Sequence, residues 1–442
     1  MKSHSINSLS VKNTRTIISR LLIVSQSRKI NLREILCYSL SPVSFPLSTS
    51  DGTLAKTNKS SLLHAIEAQV GLCRVDDIPS NATLIIDGMA LIQALHNIPS
   101  TFGELANAIF DQVIKLALKY QCSRVDFVTD RYPVNSIKNL ERSRRAAEGT
   151  QIFHIYGKDQ KTPKQWKKLL SGGKNKEVLI EFLFDVWKDA NLSSINKNID
   201  VYVAHGSECH LIRLQNGFVT LIVVDELTCD HEEADTRMLL HAKHAEKTCS
   251  SVIIRSPDTD VAIIAISMKC KLFSDCYFLT GTKDKVRIID LQKVTAALDS
   301  KLCVSLIGLH VFTGCDTTSA FYGRGKKKAL DIASKNPEFL DAFCALGSSF
   351  SLSQSTVALL ESFVCKLYGQ TSADINEARY RLFCLSSPSE QSLPPTKDAL
   401  HEHSKRCNYQ AAIHRKCLEQ YISAPPSTDH GWKMKDNQLV IN

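Results

Sequence analysis

Seven acidic residues stand in four short blocks along the chain. Asp87 lies in I-I-D-G and Asp130 in V-T-D-R. Glu233 and Asp235 lie in H-E-E-A-D-T-R, with Asp258 and Asp260 in S-P-D-T-D, and Asp316 lies in T-G-C-D-T-T. A fold that gathers such carboxylates must neutralise their repulsion, and a divalent cation does this. Mg2+ or Mn2+ takes oxygen ligands in octahedral geometry and keeps several waters. More carboxylates than one ion needs imply two ions. Two ions about 4 Å apart can activate a water and stabilise the leaving oxygen of a phosphodiester. No His/Cys cluster lies in these blocks, so zinc is not expected there. Taken singly, an Asp at a strand end is ordinarily a turn or cap residue. The coincidence of four blocks points to a shared site.

The elements that must position these acids follow from apolar periodicity. Thr83 to Ile86 is a short apolar run, read as a buried strand ending at Asp87. Thr101 and Glu104 form a T-x-x-E capping box, and Leu105, Ile109, Val113 and Leu116 then share one face of a helix. Val125 to Val128 is the next strand, running into Asp130. Strand, helix, strand is the start of a parallel α/β sheet. Further on, Val178 to Trp187 reads as helix, and Val201 to Val203 and Val219 to Val224 as strands. Glu233 to Ala245 reads as helix and Val252 to Ile254 as a strand entering S-P-D-T-D. Val261 to Met268 fits helix or strand. Tyr277 to Leu279, Val286 to Ile289 and Cys303 to Ile307 read as strands, and the region after Gly323 as mostly helical. In a parallel sheet, ligands bind beyond the carboxyl ends of the strands. Three strand ends thus deliver carboxylates to one edge. Asp258 and Asp260, two apart, face the same way if the segment is extended.

Two basic features accompany the acids. Lys138 to Lys176 holds eleven Lys/Arg against three acids, a local field suited to a polyanion. F-Y-G-R-G-K-K-K-A-L follows T-G-C-D-T-T. There Gly323 and Gly325 permit a tight turn whose amides, leading into a helix at Lys328, can bind phosphate, and Lys326, Lys327 and Lys328 add charge.

The whole chain, 442 residues with net charge +9 and 43% apolar residues, has globular composition. It contains no apolar run of the roughly 18 residues that a membrane span needs. Fifteen cysteines, scattered without a C-x-x-C pair, read as reduced thiols in a nuclear or cytoplasmic protein. The first fifty residues carry seven Lys/Arg, one acid and many serines. They read as a disordered basic leader, with a mitochondrial presequence as the alternative. Pro42, Pro46 and Ser48 to Thr53 read as linker. His401, His403, Cys407, His414 and Cys417 hint at zinc. Their run from Ala399 to Tyr421 reads more simply as one helix, and the spacing fits no usual finger.

The ordered blocks resemble the flap endonuclease type of structure-specific 5′ nuclease. The resemblance covers roughly residues 83–335. The family's early I-D strand end is similar to I-I-D-G at Asp87. Its F-D-G strand end and R-x-E-R-R segment are similar to V-T-D-R at Asp130, then Lys138 and E-R-S-R-R from Glu141 to Arg145. Its E-A-E-A and D-x-D blocks are similar to Glu233 to Asp235 and Asp258 to Asp260. Its G-C-D and G-I-G-x-K blocks are similar to Gly314 to Asp316 and Gly323 to Lys327. The chain also resembles a set of invertebrate proteins sharing H-E-E-A-D-T-R and F-T-G-C-D-T-T-S.

The family resemblance implies an α/β, PIN-like nuclease fold with a central, mostly parallel sheet flanked by helices. It implies domain limits of 81–335 for the nuclease, with a basic insertion over about 138–230. A poorly ordered extension over 1–80 precedes it, and a helical region over 336–442 follows. It implies that the seven acids hold two Mg2+ or Mn2+ ions and that Lys138 and Arg144 contact the scissile phosphate. Arg142, Arg145 and Gly323 to Lys328 would hold nucleic acid, DNA first and RNA second. The departures are specific. Asp235 replaces a glutamate, Thr129 and Arg131 flank Asp130, about eighty residues precede the first block, and the stretch between Arg145 and Asp230 does not resemble the family's helical arch. A preference for 5′ flaps is therefore not carried over. The competing expectation is a catalytically decayed nucleic-acid-binding or scaffold protein on the same fold, of mobile-element origin.

Overall fold

The computed structural model describes residues 19–20, 23–133, 136–138, 152–188, 199–215, 218–272, 275–281, 285–385, 389–435 and 438–441. The chain divides into two compact units. One comprises Ile66–Asp299 and Ile413–Ala424, the other Met1–Ala65, Ser300–Ala412 and Pro425–Asn442.

The first unit is built on a nine-stranded sheet. Its strands are β1 (Arg74–Val75), β2 (Thr83–Asp87), β3 (Arg124–Val128), β4 (Asp200–His205), β5 (Glu208–Gln215), β6 (Phe218–Val223), β7 (Ser251–Arg255), β8 (Asp275–Thr280) and β9 (Arg287–Asp290). The order is β1-β9-β8-β7-β2-β3-β4-β5-β6. The central strands β8, β7, β2, β3 and β4 are mutually parallel, and antiparallel pairs close both sides. This is the expected α/β class with a mostly parallel central sheet.

Burial on both faces explains why β2 and β7 read as unbroken apolar runs. Leu84, Ile85, Ile86, Val252, Ile253 and Ile254 are all buried. One face carries the helices Phe102–Lys119 and Gly173–Lys188, where Trp187 packs against Phe110 and Phe127 at ring separations of 5.5 and 5.2 Å. The capping box at Thr101 and Glu104 forms as its sequence requires. From β2 the chain proceeds outward through β3 and β4. It later re-enters on the other side of β2 as β7. The strand order therefore reverses between β2 and β7, the position at which parallel sheets open a ligand crevice.

Several local readings change. Cys303 to Ile307 belongs to the helix Ser300–Phe312, not to a strand. A five-residue apolar run carries no period that separates the two, and this helix is buried on nearly every side. Val261 to Met268 is helical, within Thr259–Met268. Strand β5 was not anticipated, because its apolar residues are interleaved with His210 and Arg213 after a two-residue turn. The stretch read as linker closes on itself through a bridge between Ser48 and Leu54, with Leu47 and Leu54 buried.

The second unit is mainly helical, with Ser300–Phe312, Lys326–Ser334, Pro337–Ala345, Gln354–Leu367, Ile375–Leu385 and most of Lys397–Arg415. Phe312 lies at its centre, against Phe321, Phe343, Phe363 and His403. A hairpin of Trp432–Lys435 and Gln438–Ile441 completes it. Among the described residues no single helix is long and apolar enough to cross a membrane.

Candidate metal centre

Six of the seven acids belong to the sheet unit, just past β2, β3 and β7 or at the start of the Ala234–Ala245 helix. Asp87 ends β2 and caps the helix Gly88–Gln93, its Oδ1 accepting from the Ala90 amide at 2.9 Å. Asp258 follows β7 and caps Thr259–Met268, its Oδ1 accepting from the Asp260 amide at 2.9 Å. Asp130 follows β3 and caps a helix remote in sequence. Its Oδ1 accepts from the Ala234 amide at 2.7 Å, at the start of Ala234–Ala245. The turn-and-cap role is therefore compatible with a cation role. A cap takes one oxygen of a carboxylate, and a cation needs only one other. Asp258 and Asp260 do converge, but as neighbours on the first turn of a helix rather than by strand alternation.

Asp235, Asp258 and Asp260 each offer a carboxylate oxygen within 4.8 Å of the others. This is the one such group of three or more among the described residues. Ser256 links the blocks, with its Oγ 3.4 Å from Asp87 Oδ2 and accepting from the Asp258 amide at 3.1 Å. The segment after β3 is fastened to the acid block. The Arg131 amide donates to the Glu232 carbonyl at 2.8 Å, Ser136 bonds Glu232, and Lys138 Nζ lies 2.7 Å from Glu233 Oε2. Tyr132 reaches Asp130 through its hydroxyl at 3.4 Å.

The electrostatics show what the cluster would accept. Burial, then the nearby Asp130 charge, pushes the Asp87 carboxyl up to about 6. Burial, then Asp258, holds Asp235 well above the usual carboxylate range. Burial also raises Glu233, with the Lys138 ammonium opposing it. Interior carboxylates pushed up by each other are stabilised by a cation. The donor set is oxygen only, which fits a hard divalent ion such as Mg2+ or Mn2+.

The remaining expected residues fall elsewhere. Asp316 belongs to the helical unit, where Lys59 Nζ lies 2.8 Å from its Oδ1. Gly323 takes φ +66°, and Gly325 precedes the helix, which begins at Lys326 rather than Lys328. Lys326 is fully buried, its ammonium donating to the His310 carbonyl at 2.6 Å and to Thr313 Oγ1 at 2.9 Å. It satisfies the end of the Ser300–Phe312 helix, and Lys327 and Lys328 are the lysines exposed to solvent. Arg142, Arg144 and Arg145 lie outside the described residues. In the His/Cys run, His401, His403, Cys407 and His414 share the helix Lys397–Arg415, and His403 Nε2 bonds the Phe312 carbonyl at 2.9 Å.

Two supports went unread in the sequence. Beneath the site, Arg124 grips Asp126 through two bonds of 2.7 Å, and His241 Nδ1 bonds the same carboxylate at 2.7 Å. Burial alone would raise Asp126, but the guanidinium holds it down to about 2, while burial pushes His241 down to about 4. This pins the Ala234–Ala245 helix to β3. The signal was the i, i+2 pair Arg124 and Asp126, which share a strand face. The second support is a clamp. Asp230 accepts from the Ile422 and Ser423 amides at 2.8 and 3.2 Å, and His231 Nε2 bonds the Glu419 carbonyl at 2.7 Å.

No family model and no curated protein matches the sequence. Among solved structures the chain is similar to a bacteriophage T5 flap endonuclease in a pseudo-enzyme–product complex with DNA and metal ions, at 14% identity over 77% of this chain and 98% of that one, TM-score 0.35. It is also similar to T5 5′-exonuclease with bound zinc ions, at 14% identity over 77% and 99%, TM-score 0.35. A third is the catalytic core of Rad2 with DNA substrate, at 14% identity over 69% and 93%, TM-score 0.31.

Proposed function

We propose that the protein is a divalent-cation-dependent nuclease that hydrolyses phosphodiester bonds, on DNA first, from a PIN-like, flap-endonuclease-like fold. The observation that carries this is the group of Asp235, Asp258 and Asp260, with carboxylate oxygens within 4.8 Å of one another, and the repulsion that links Asp87 to Asp130 and Asp130 to Glu233 supports it. Asp235, Asp258 and Asp260 would hold one cation, and Asp87, Asp130 and Glu233 a second. When bound, the ions supply charge for the attacking and leaving oxygens of an in-line displacement. Ser256 joins the Asp87 carboxylate to the backbone at Asp258. Lys138, now on Glu233, is the cation placed to exchange onto a phosphate. Lys327 and Lys328, exposed in the helical unit, would bind nucleic-acid backbone.

The decayed-scaffold reading has one observation in its favour. The Lys138 ammonium already neutralises Glu233, so one site can be satisfied without a second divalent ion. A labelled panel of single strand, duplex, flap, bubble and RNA decides between them, with Mg2+, Mn2+ or EDTA and with Asp258→Asn as control. Metal-dependent cutting lost in the variant is expected. Tight, salt-sensitive binding without cutting overturns the enzyme in favour of the scaffold.

A further inference from the structure

The sheet unit carries an exposed aromatic and cationic strip that the acid site does not use. Residues 152–156 run extended with strict alternation. Phe153 and Ile155 turn inward and pack on the core, while Ile152, His154 and Tyr156 face solvent. Tyr156 is 86% exposed, an unusual state for so large a ring. The His154 and Tyr156 rings stack at 6.2 Å with a 28° angle between planes.

The strip is held rigidly. Gln160 Oε1 accepts from the Tyr156 amide at 2.6 Å and its Nε2 donates to the His154 carbonyl at 3.0 Å, bracketing the strip from both sides. The Gln160 and Lys158 carbonyls accept from the Phe102 and Gly103 amides, the otherwise unsatisfied donors opening the Phe102–Lys119 helix. An exposed ring pair on a fastened backbone is preorganised to receive something flat.

Charge identifies the ligand. Lys158, Lys161, Lys164, Lys167, Lys168 and Lys174 are all exposed, with Asp159 the one acid among residues 152–176. None of these lysines is ion-paired among the described residues. A polyanion with flat apolar faces is the complement of such a surface, and a single-stranded nucleic acid is that polymer. A duplex buries its base faces and offers rings nothing to stack on.

Topology puts the strip on the side of the acids. The Phe102–Lys119 and Gly173–Lys188 helices lead back to the starts of β3 and β4, so their N-termini lie at the edge where the parallel strands end. The strip is bonded to both. Besides the Phe102 contacts, the Phe153 amide donates to Asn175 Oδ1 at 2.8 Å. Gly173 packs on Tyr132, whose hydroxyl meets Asp130.

We propose that His154 and Tyr156 form a stacking platform for unpaired bases, with Lys158 to Lys174 holding the phosphates of the same strand. The platform rests on the nuclease reading of the acid edge and names its substrate class as nucleic acid with a single-stranded portion. The test is equilibrium binding by the full chain carrying Asp258→Asn, in EDTA, to a labelled DNA strand of about twenty nucleotides and to its duplex. His154→Leu/Tyr156→Leu is expected to weaken single-strand binding about ten-fold or more. Duplex binding should hold within about two-fold, and the salt dependence should not change, since phosphate contacts remain. Tyr156→Phe restores single-strand binding. Equal weakening on both ligands, or no weakening of the single strand, overturns the platform, with an unchanged circular dichroism spectrum certifying the fold. Metal-dependent cleavage by the chain with Asp258 intact, assayed separately in Mn2+, leaves the nuclease reading intact after such a result. A parent chain that binds neither ligand overturns both.

Discussion

Asp258→Asn separates a metal ligand from a helix cap, because the replacement keeps one role and removes the other. Asn caps a helix about as well as Asp, so the bond to the Asp260 amide survives at a cost of a few tenths of a kcal/mol. The lost charge acts in the other direction. Two carboxylates with oxygens within 4.8 Å of each other repel by about 3.5 kcal/mol or more at an effective dielectric near 20. Asp235 relieves part of this by taking up a proton, since burial and Asp258 hold its carboxyl up. The net gain for the variant in EDTA is therefore smaller, about 1–2 kcal/mol. At about 2–4 °C per kcal/mol for a unit of this size, that is a rise of several degrees in the unfolding midpoint. With Mn2+ at a hundred times its dissociation constant, the parent chain gains about 2.7 kcal/mol, and the variant, missing a ligand, gains far less. The order of stability should therefore invert between EDTA and Mn2+. Differential scanning calorimetry at neutral pH reads both conditions directly. A variant that is destabilised equally in EDTA and in Mn2+ refutes the reasoning, because it leaves the carboxylate as a cap and nothing more.

Two further outcomes follow from the same geometry. Asp87, raised to about 6, binds a proton below that pH which a cation must displace. Apparent Mn2+ affinity measured calorimetrically should fall between pH 7 and 5, Asp87 contributing up to about ten-fold per unit below 6; affinity unchanged between pH 5 and 7 removes Asp87 from the ligand set. Lys326→Met should cost about 1–3 kcal/mol in urea unfolding, because it strands buried acceptors, and should leave the salt dependence of nucleic-acid binding untouched. Lys327→Ala or Lys328→Ala should do the reverse, lowering the salt slope by about one per lost phosphate contact.

The acid edge was legible because the physics is local. An unbroken apolar run reads as a parallel strand, and a carboxylate just past it must lie at the sheet's carboxyl edge. Asp87, Asp258 and Asp260 follow from that rule alone, and Asp130 follows a run that Asp126 interrupts. Orientation was less legible. The side chain of Lys326 turns inward because the preceding helix presents the carbonyl of His310, a partner sixteen residues away that no local pattern reveals. The Arg124–Asp126–His241 cluster hid for a similar reason. Charged residues in a strand read as solvent-facing unless the helix that covers them is known. Cys303 to Ile307 was ambiguous because a helix buried all round loses the amphipathic stripe that marks it.

The clamp of residues 419–423 on Asp230 and His231 places the final support of the acid site far from it in the chain. Glu233 is translated 186 residues before Glu419, and the intervening helical unit must be made first. At ordinary elongation rates this interval is roughly ten to forty seconds. During that time the nascent polypeptide carries its acidic block without the backbone that braces it. A ribosome that stops early, or a message with a premature stop codon, releases a chain whose strands are complete but whose acid block is unbraced. Bracing of the acid block is thus tied to the translation of residues 419–423.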